Sequence, residues 1–87
     1  MAAATASERS LADHKPGDEV RVAGVSGAGN EALADRLRAL GFVPGTKVQI
    51  LRRAPLGDPT EYALRGTRIS LRRAEAGRVA VVCAEEG

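Results

Sequence analysis

The sequence has 87 residues, thirteen of them basic and eleven acidic, for a formal charge of +2, with one histidine, one cysteine and two aromatic side chains. A chain this short forms one domain whose core has little to spare, and so mild a charge is by itself no argument for nucleic acid or anionic lipid. The lone Cys83 cannot make an internal disulfide and no apolar run approaches the roughly 20 residues that span a bilayer, so a soluble, cytoplasmic protein is expected.

Met1 to Ser10 is mostly Ala, Ser and Thr, lacks the apolar run of a signal peptide, and reads as a flexible tail (residues 1–10) ahead of a folded domain (residues 11–84). Leu11 is the first apolar residue able to anchor the chain. Lys15-Pro16-Gly17-Asp18 then carries the chemistry of a type II turn, and a strand follows to about Val25. The pattern Pro-Gly-x-x-apolar-x-apolar over Pro16 to Val22 recurs over Pro44 to Ile50, which we read as one turn solution used twice rather than a duplication.

Gly24 to Gly29 has the look of a phosphate-cradling loop, but Asn30-Glu31 follows where a P-loop needs lysine and a hydroxyl residue. The structural reading is a slack connection ending in Asn30 as helix N-cap, with Glu31 favourable in the first turn. The helix is expected from Glu31 to Leu40, with Leu33, Leu37 and Leu40 as its buried stripe, supported by Ala34. Gly41 stands where a left-handed residue closes a helix, letting Phe42 fold back over Leu37. Val43-Pro44-Gly45-Thr46 is a second type II turn, and in Val48-Gln49-Ile50 the apolar period falls to two. Leu37, Leu40, Gly41, Phe42, Pro44 and Gly45 are thus the structural junction between helix and sheet.

Arg52-Arg53-Ala54-Pro55-Leu56-Gly57-Asp58-Pro59 should be a stiff loop, with Pro55 at the second position of a tight turn. Leu56 at its tip either plugs one end of the fold or waits for a partner. Glu61 to Leu64 reads as a third strand, Arg65-Gly66-Thr67 as a reversal, and Arg68 to Arg72 as a fourth strand with Ile69 and Leu71 facing in. Arg73 to Ala76 suits one helical turn stopped by Gly77, and Arg78 to Val82 a fifth strand. About five strands and one helix inserted between the first two point to a mostly β fold, a small closed or half-closed barrel.

Catalytic chemistry is poorly provided for. His14 and Cys83 lie at opposite ends of the chain, and with Asp13 and Asp18 they show no spacing of a nucleophilic or metal site, so neither catalytic nor metal residues are assigned. His14 reads as a surface residue before a turn. Arg52, Arg53, Arg65, Arg68, Arg72, Arg73 and Arg78 give the second half a basic surplus and motivate an RNA-binding or ribosome-associated alternative. With only Tyr62 there to stack on a base, a solvated or acidic-protein-facing surface fits better.

Leu37-x-x-Leu40-Gly41-Phe42-x-Pro44-Gly45, Ala54-Pro55-Leu56-Gly57-Asp58-Pro59, Arg65-Gly66 and Ile69-Ser70-Leu71-Arg72-Arg73-x-Glu75-Ala76 together resemble the ferrous-iron transport protein A (FeoA) family, over about Leu11 to Val82. The resemblance implies an SH3-like β-barrel with an inserted helix, and a small cytosolic accessory protein, not itself a channel, that acts with the membrane ferrous-iron permease FeoB, whose cytoplasmic part is a GTP-binding domain; the shortage of reactive side chains adds the expectation of no enzyme activity and no cofactor. A similar module forms the C-terminal domain of metal-dependent repressors, which makes a metal-binding regulator a further alternative. No room is left for their helix-turn-helix, so DNA binding is not expected. On our own inference Arg52, Arg53, Pro55, Leu56, Gly57, Asp58 and Pro59 are the partner contacts. An unclosed sheet edge would also allow self-association.

Overall fold

In the computed structural model, which describes residues 8–83, one antiparallel sheet wraps around an aliphatic core. Its strands are β1 (Glu8–Ser10), β2 (Glu19–Val25), β3 (Lys47–Arg53), β4 (Thr60–Leu64), β5 (Thr67–Leu71) and β6 (Val79–Cys83), in the order β1-β6-β2-β3-β4-β5. A 3-10 turn at Leu11–Asp13 follows β1, helix α1 (Glu31–Ala39) is inserted between β2 and β3, and the short helix α2 (Arg73–Ala76) joins β5 to β6. Alternation puts Val20, Val22, Val48, Ile50, Tyr62, Leu64, Val79 and Val81 inside, each at most 2 % exposed.

The strand count exceeds the five expected because Glu8–Ser10, assigned to the flexible tail, pairs with β6 through Glu8↔Val82, Arg9↔Val81 and Ser10↔Ala80. Three polar residues carry no apolar alternation to betray a strand. What orders them is the backbone edge that β6 offers, a non-local feature. The rest of that tail, residues 1–7, and residue 84 of the expected domain lie outside the described residues.

Both Pro-Gly turns form as expected. Asp18 N–H donates to Lys15 O at 3.0 Å and Thr46 N–H to Val43 O at 3.1 Å, with Gly17 and Gly45 at φ +99° and +93°. The two segments are also partners. Gly17 N–H reaches Ile50 O at 2.9 Å and Ile50 N–H reaches Asp18 O at 3.0 Å, while Gly45 N–H reaches Val22 O and Val22 N–H reaches Thr46 O, both at 2.8 Å. Each turn caps the far end of the other strand, around a local two-fold through the Val20↔Val48 pair.

Helix α1 begins and ends as read. Leu33 N–H donates to Asn30 Oδ1 at 3.1 Å, the side-chain cap of its first turn. At the other end Phe42 N–H donates to Leu37 O at 3.1 Å and Gly41 N–H to Arg38 O at 3.0 Å, the paired bonds of a Schellman closure, with Gly41 at φ +117°. Phe42 and Leu37 are both buried in the core. Leu40, expected in the buried stripe, is 38 % exposed. It is the C-cap, and Phe42, brought in by the reversal at Gly41, takes the core position that a further helical turn would have offered.

A Cβ on Gly41 would lie 3.2 Å from Arg65 Cδ and 3.3 Å from Leu64 Cδ1 in a backbone conformation that L-residues disfavour. Gly41→Ala is therefore expected to destabilise the domain by about 1–2 kcal/mol. Urea unfolding of the two proteins, followed by far-UV circular dichroism, measures the difference in midpoint.

Candidate functional site

The segment between β3 and β4 is held at three places. Ala54 N–H donates to Pro59 O at 2.9 Å and closes the base, and Gly57 N–H donates to Ala54 O at 2.7 Å, making Pro55 the second residue of a turn as expected. The Asp58-Pro59 peptide bond is cis, and Asp58 Oδ1 accepts the backbone N–H of Arg73 at 2.7 Å, tying the loop to the first turn of α2. Leu56 projects from this frame 95 % exposed, so of its two readings the plug is excluded. Among the described residues, the buried apolar side chains from outside the strands are Leu11, Ala34, Leu37, Phe42 and Ala76.

The two neighbouring arginines differ. Arg52 is exposed and, with Ala54, Pro55, Pro59, Glu61 and Ser70, lines a cleft of about 280 Å³ beside the loop. Arg53 is half-buried, its Nε donating to Thr60 Oγ1 at 3.2 Å and its Nη2 to His14 O at 2.6 Å. The irregularity in the β3–β4 register between Ile50 and Arg52 separates their roles: beyond it Arg52 pairs with Glu61 and Arg53 with the buried Thr60. Of the seven expected contact residues, Pro55, Leu56, Pro59 and Arg52 thus form an exposed group. Gly57 and Asp58 shape and tether the loop, and Arg53 braces it from within.

The glycine-rich segment after β2 takes the structural reading. Its carbonyls face a cation: Arg78 Nη1 donates to Ala28 O at 2.8 Å and Ser26 O at 3.3 Å. A phosphate cradle would present N–H groups there instead.

Sequence separation misled at one point. His14 and Cys83, placed at opposite ends of the chain, line one concavity with Gly17, Asp18 and Glu19, because Cys83 pairs with Val20 at the end of β6. His14 is half-buried rather than a plain surface residue, its Nδ1 3.2 Å from Asp18 Oδ2. The Asp18 carboxylate also accepts Lys15 N–H at 3.1 Å, and this backbone bond, followed by His14, holds its pKa below the ordinary aspartate value. Among the described residues no group of three or more His, Cys, Asp or Glu is placed to hold a metal ion, and no buried side-chain polar atom lacks a hydrogen-bond partner. Burial raises the pKa of the Tyr62 phenol, which keeps it neutral in the core.

Six short antiparallel strands in one sheet around an aliphatic core, with one inserted helix, define a class, the SH3-like domain, and its relatives place it further. Residues 9–83 match the profile of the FeoA domain, and the chain belongs to that family. A FeoA protein from Chlorobium tepidum, solved by NMR, is 40 % identical, with a TM-score of 0.77 over 86 % of this chain and 70 % of that one. The FeoA of Stenotrophomonas maltophilia, crystallised with zinc and described as a prokaryotic SH3 domain protein possibly acting as a ferrous iron transport activating factor, is 36 % identical, with a TM-score of 0.75 over 83 % of this chain and 87 % of that one. A Porphyromonas gingivalis fusion of Fe(2+) transport protein A with the Fe(2+) transporter FeoB is 32 % identical over 71 residues, which are 82 % of this chain and 8 % of the fusion. The chain thus corresponds to a small part of that relative's length.

Two measurements check the local chemistry. Removing the Asp58 acceptor in Asp58→Ala is expected to cost about 1 kcal/mol in urea unfolding, the worth of a helix-end cap. Asp18, its folded pKa depressed, stabilises the fold above its unfolded pKa and loses that contribution as pH falls through the lower folded value. Asp18→Asn should therefore flatten the decline of the urea midpoint on acidification below the ordinary aspartate range.

Proposed function

We propose that the chain is a cytosolic accessory module of ferrous-iron transport that binds the cytoplasmic face of a FeoB-type GTP-binding permease, with Leu56 as the apolar anchor of the contact. The observation that carries this is Leu56 itself, a large aliphatic side chain 95 % exposed on a loop whose backbone is fixed at its base and its side. Covering such a side chain is worth about 1.5–3 kcal/mol, and because the loop is already ordered little of that is lost to conformational entropy on binding. Arg52 and the cleft it shares with Pro55 and Pro59 give the anchor a polar rim. Fusion of the two proteins in the Porphyromonas gingivalis relative supports the choice of partner.

Since Leu56 packs on nothing in the fold, Leu56→Asp should unfold at the same urea concentration as the parent. Capture of the detergent-solubilised permease on the immobilised variant should fall about tenfold or more, the effect of losing a central anchor. Undiminished capture would move the contact elsewhere on the surface.

A further inference from the structure

The sheet ends differently on its two sides, and β5 is the open end. It pairs only with β4, through Leu64↔Thr67 next to the two-residue reversal Arg65-Gly66 and on to Thr60↔Leu71. The residues flanking a two-residue hairpin loop are a hydrogen-bonded pair, and such pairs alternate along an antiparallel ladder. Thr67, Ile69 and Leu71 therefore bond to β4, and the N–H and C=O groups of Arg68 and Ser70 point out of the sheet. Among the described residues, no loop or turn backbone takes them up. Thr67, Arg68 and Ser70 are exposed, and Ile69 between them is half-buried, packed on the core from one side only.

From this edge we infer that β5 accepts an added strand, and that its occupant is an extended, acidic segment of a partner protein with an apolar residue next to the acidic one. The charge selects the occupant. Arg65 to Arg72 contains three arginines and no acidic residue, so a second copy pairing edge to edge would bring like charges together with no opposite charge between them. The side chain across from Arg68 extends a row that runs through Ala63 and Gln49 to Glu19, three strands away, so no carboxylate in that row stands directly beside Arg68, and an acidic residue fits there. Its neighbour in the added strand faces the core side and covers Ile69. In the next row Ser70 stands beside Glu61, which Arg52 already opposes, and Ser70 and Arg52 both line the cleft next to the Leu56 loop. The inference deepens the proposed permease contact and rests on it for the source of the strand.

The probe is a short synthetic peptide alternating glutamate and valine, titrated into the isotopically labelled full chain. Amide shifts should centre on Arg68 and Ser70, with slowed hydrogen exchange at those two N–H groups. The same peptide with lysine for glutamate should not bind. Arg68→Glu should weaken the acidic peptide roughly fivefold and reverse the preference. Ser70→Pro, which deletes an edge N–H that the β4 ladder does not use, should abolish binding in a protein whose remaining amide spectrum is unchanged. Shifts centred elsewhere, or an Arg68→Glu protein that binds the acidic peptide like the parent, overturn the inference. The two contacts fail separately: if Leu56→Asp loses the permease while Arg68→Glu and Ser70→Pro keep it, the edge is not used and the loop reading stands. If the peptide binds the edge as described but the parent captures no permease, the edge stands and the proposed partner falls.

Discussion

Four backbone hydrogen bonds that tie each of two Pro-Gly turns to the other turn's strand hold the register on which the rest of this fold depends. A single turn fixes where a strand starts. Two turns that each bond the other strand's far end fix how the strands lie on one another, because a slip of one residue would break all four bonds and carry Val20, Val22, Val48 and Ile50 to the solvent face. The glycines contribute twice, as residues that accept positive φ and as N–H donors across the pair. The inserted helix is confined by the same device. It leaves from the end of β2 and must return at Val43 to Thr46, so the Gly41 reversal and the second turn follow one another with no slack between them.

The loop that carries Leu56 inherits its position from this lock. β3 starts in register against β2, and an irregularity in its pairing with β4 after Ile50 hands Arg53 to Thr60 and the His14 carbonyl while Arg52 stays outside. A guanidinium binding two parts of the scaffold and a carboxylate binding the α2 backbone leave the loop little freedom, although its tip touches nothing. On that combination the proposed contact rests. The cost of ordering is met in folding and is not charged to the contact.

What could be read directly from the chain was whatever local chemistry decides. The Asn30 cap, the Gly41 closure and the bonds that close the two Pro-Gly turns, Asp18 N–H to Lys15 O and Thr46 N–H to Val43 O, reach only a few residues along the chain, and each element they bound stands where it was expected. The misses are non-local. Glu8–Ser10 becomes a strand only because β6 is there to receive it, and Leu40 is displaced from the core by a residue two positions ahead of it. His14 and Cys83 became neighbours through the pairing of β6 with β2, which no spacing in the sequence encodes. The site was legible as a segment, through its two prolines and stranded leucine, but the division of labour between Arg52 and Arg53 was not. It turns on one irregular step in a register.

The two ends of the sheet meet the same hazard in different ways. A free edge invites any extended chain, and proteins blunt it by covering it, shortening it or charging it. At the β6 side a three-residue strand supplies the cover, whereas at the β5 side the described residues leave the backbone groups open and arginines stand along them. Charge of one sign does more than blunt. It raises the cost of pairing with a second copy while lowering that of pairing with an acidic strand, so in the inferred contact one set of side chains would serve both against self-association and toward a partner of opposite charge. Cover by a further strand of the chain would have provided the first effect without the second. That β5 is charged rather than covered, beside a cleft that leads to the one fully exposed leucine, is what joins the edge and the loop into a single surface.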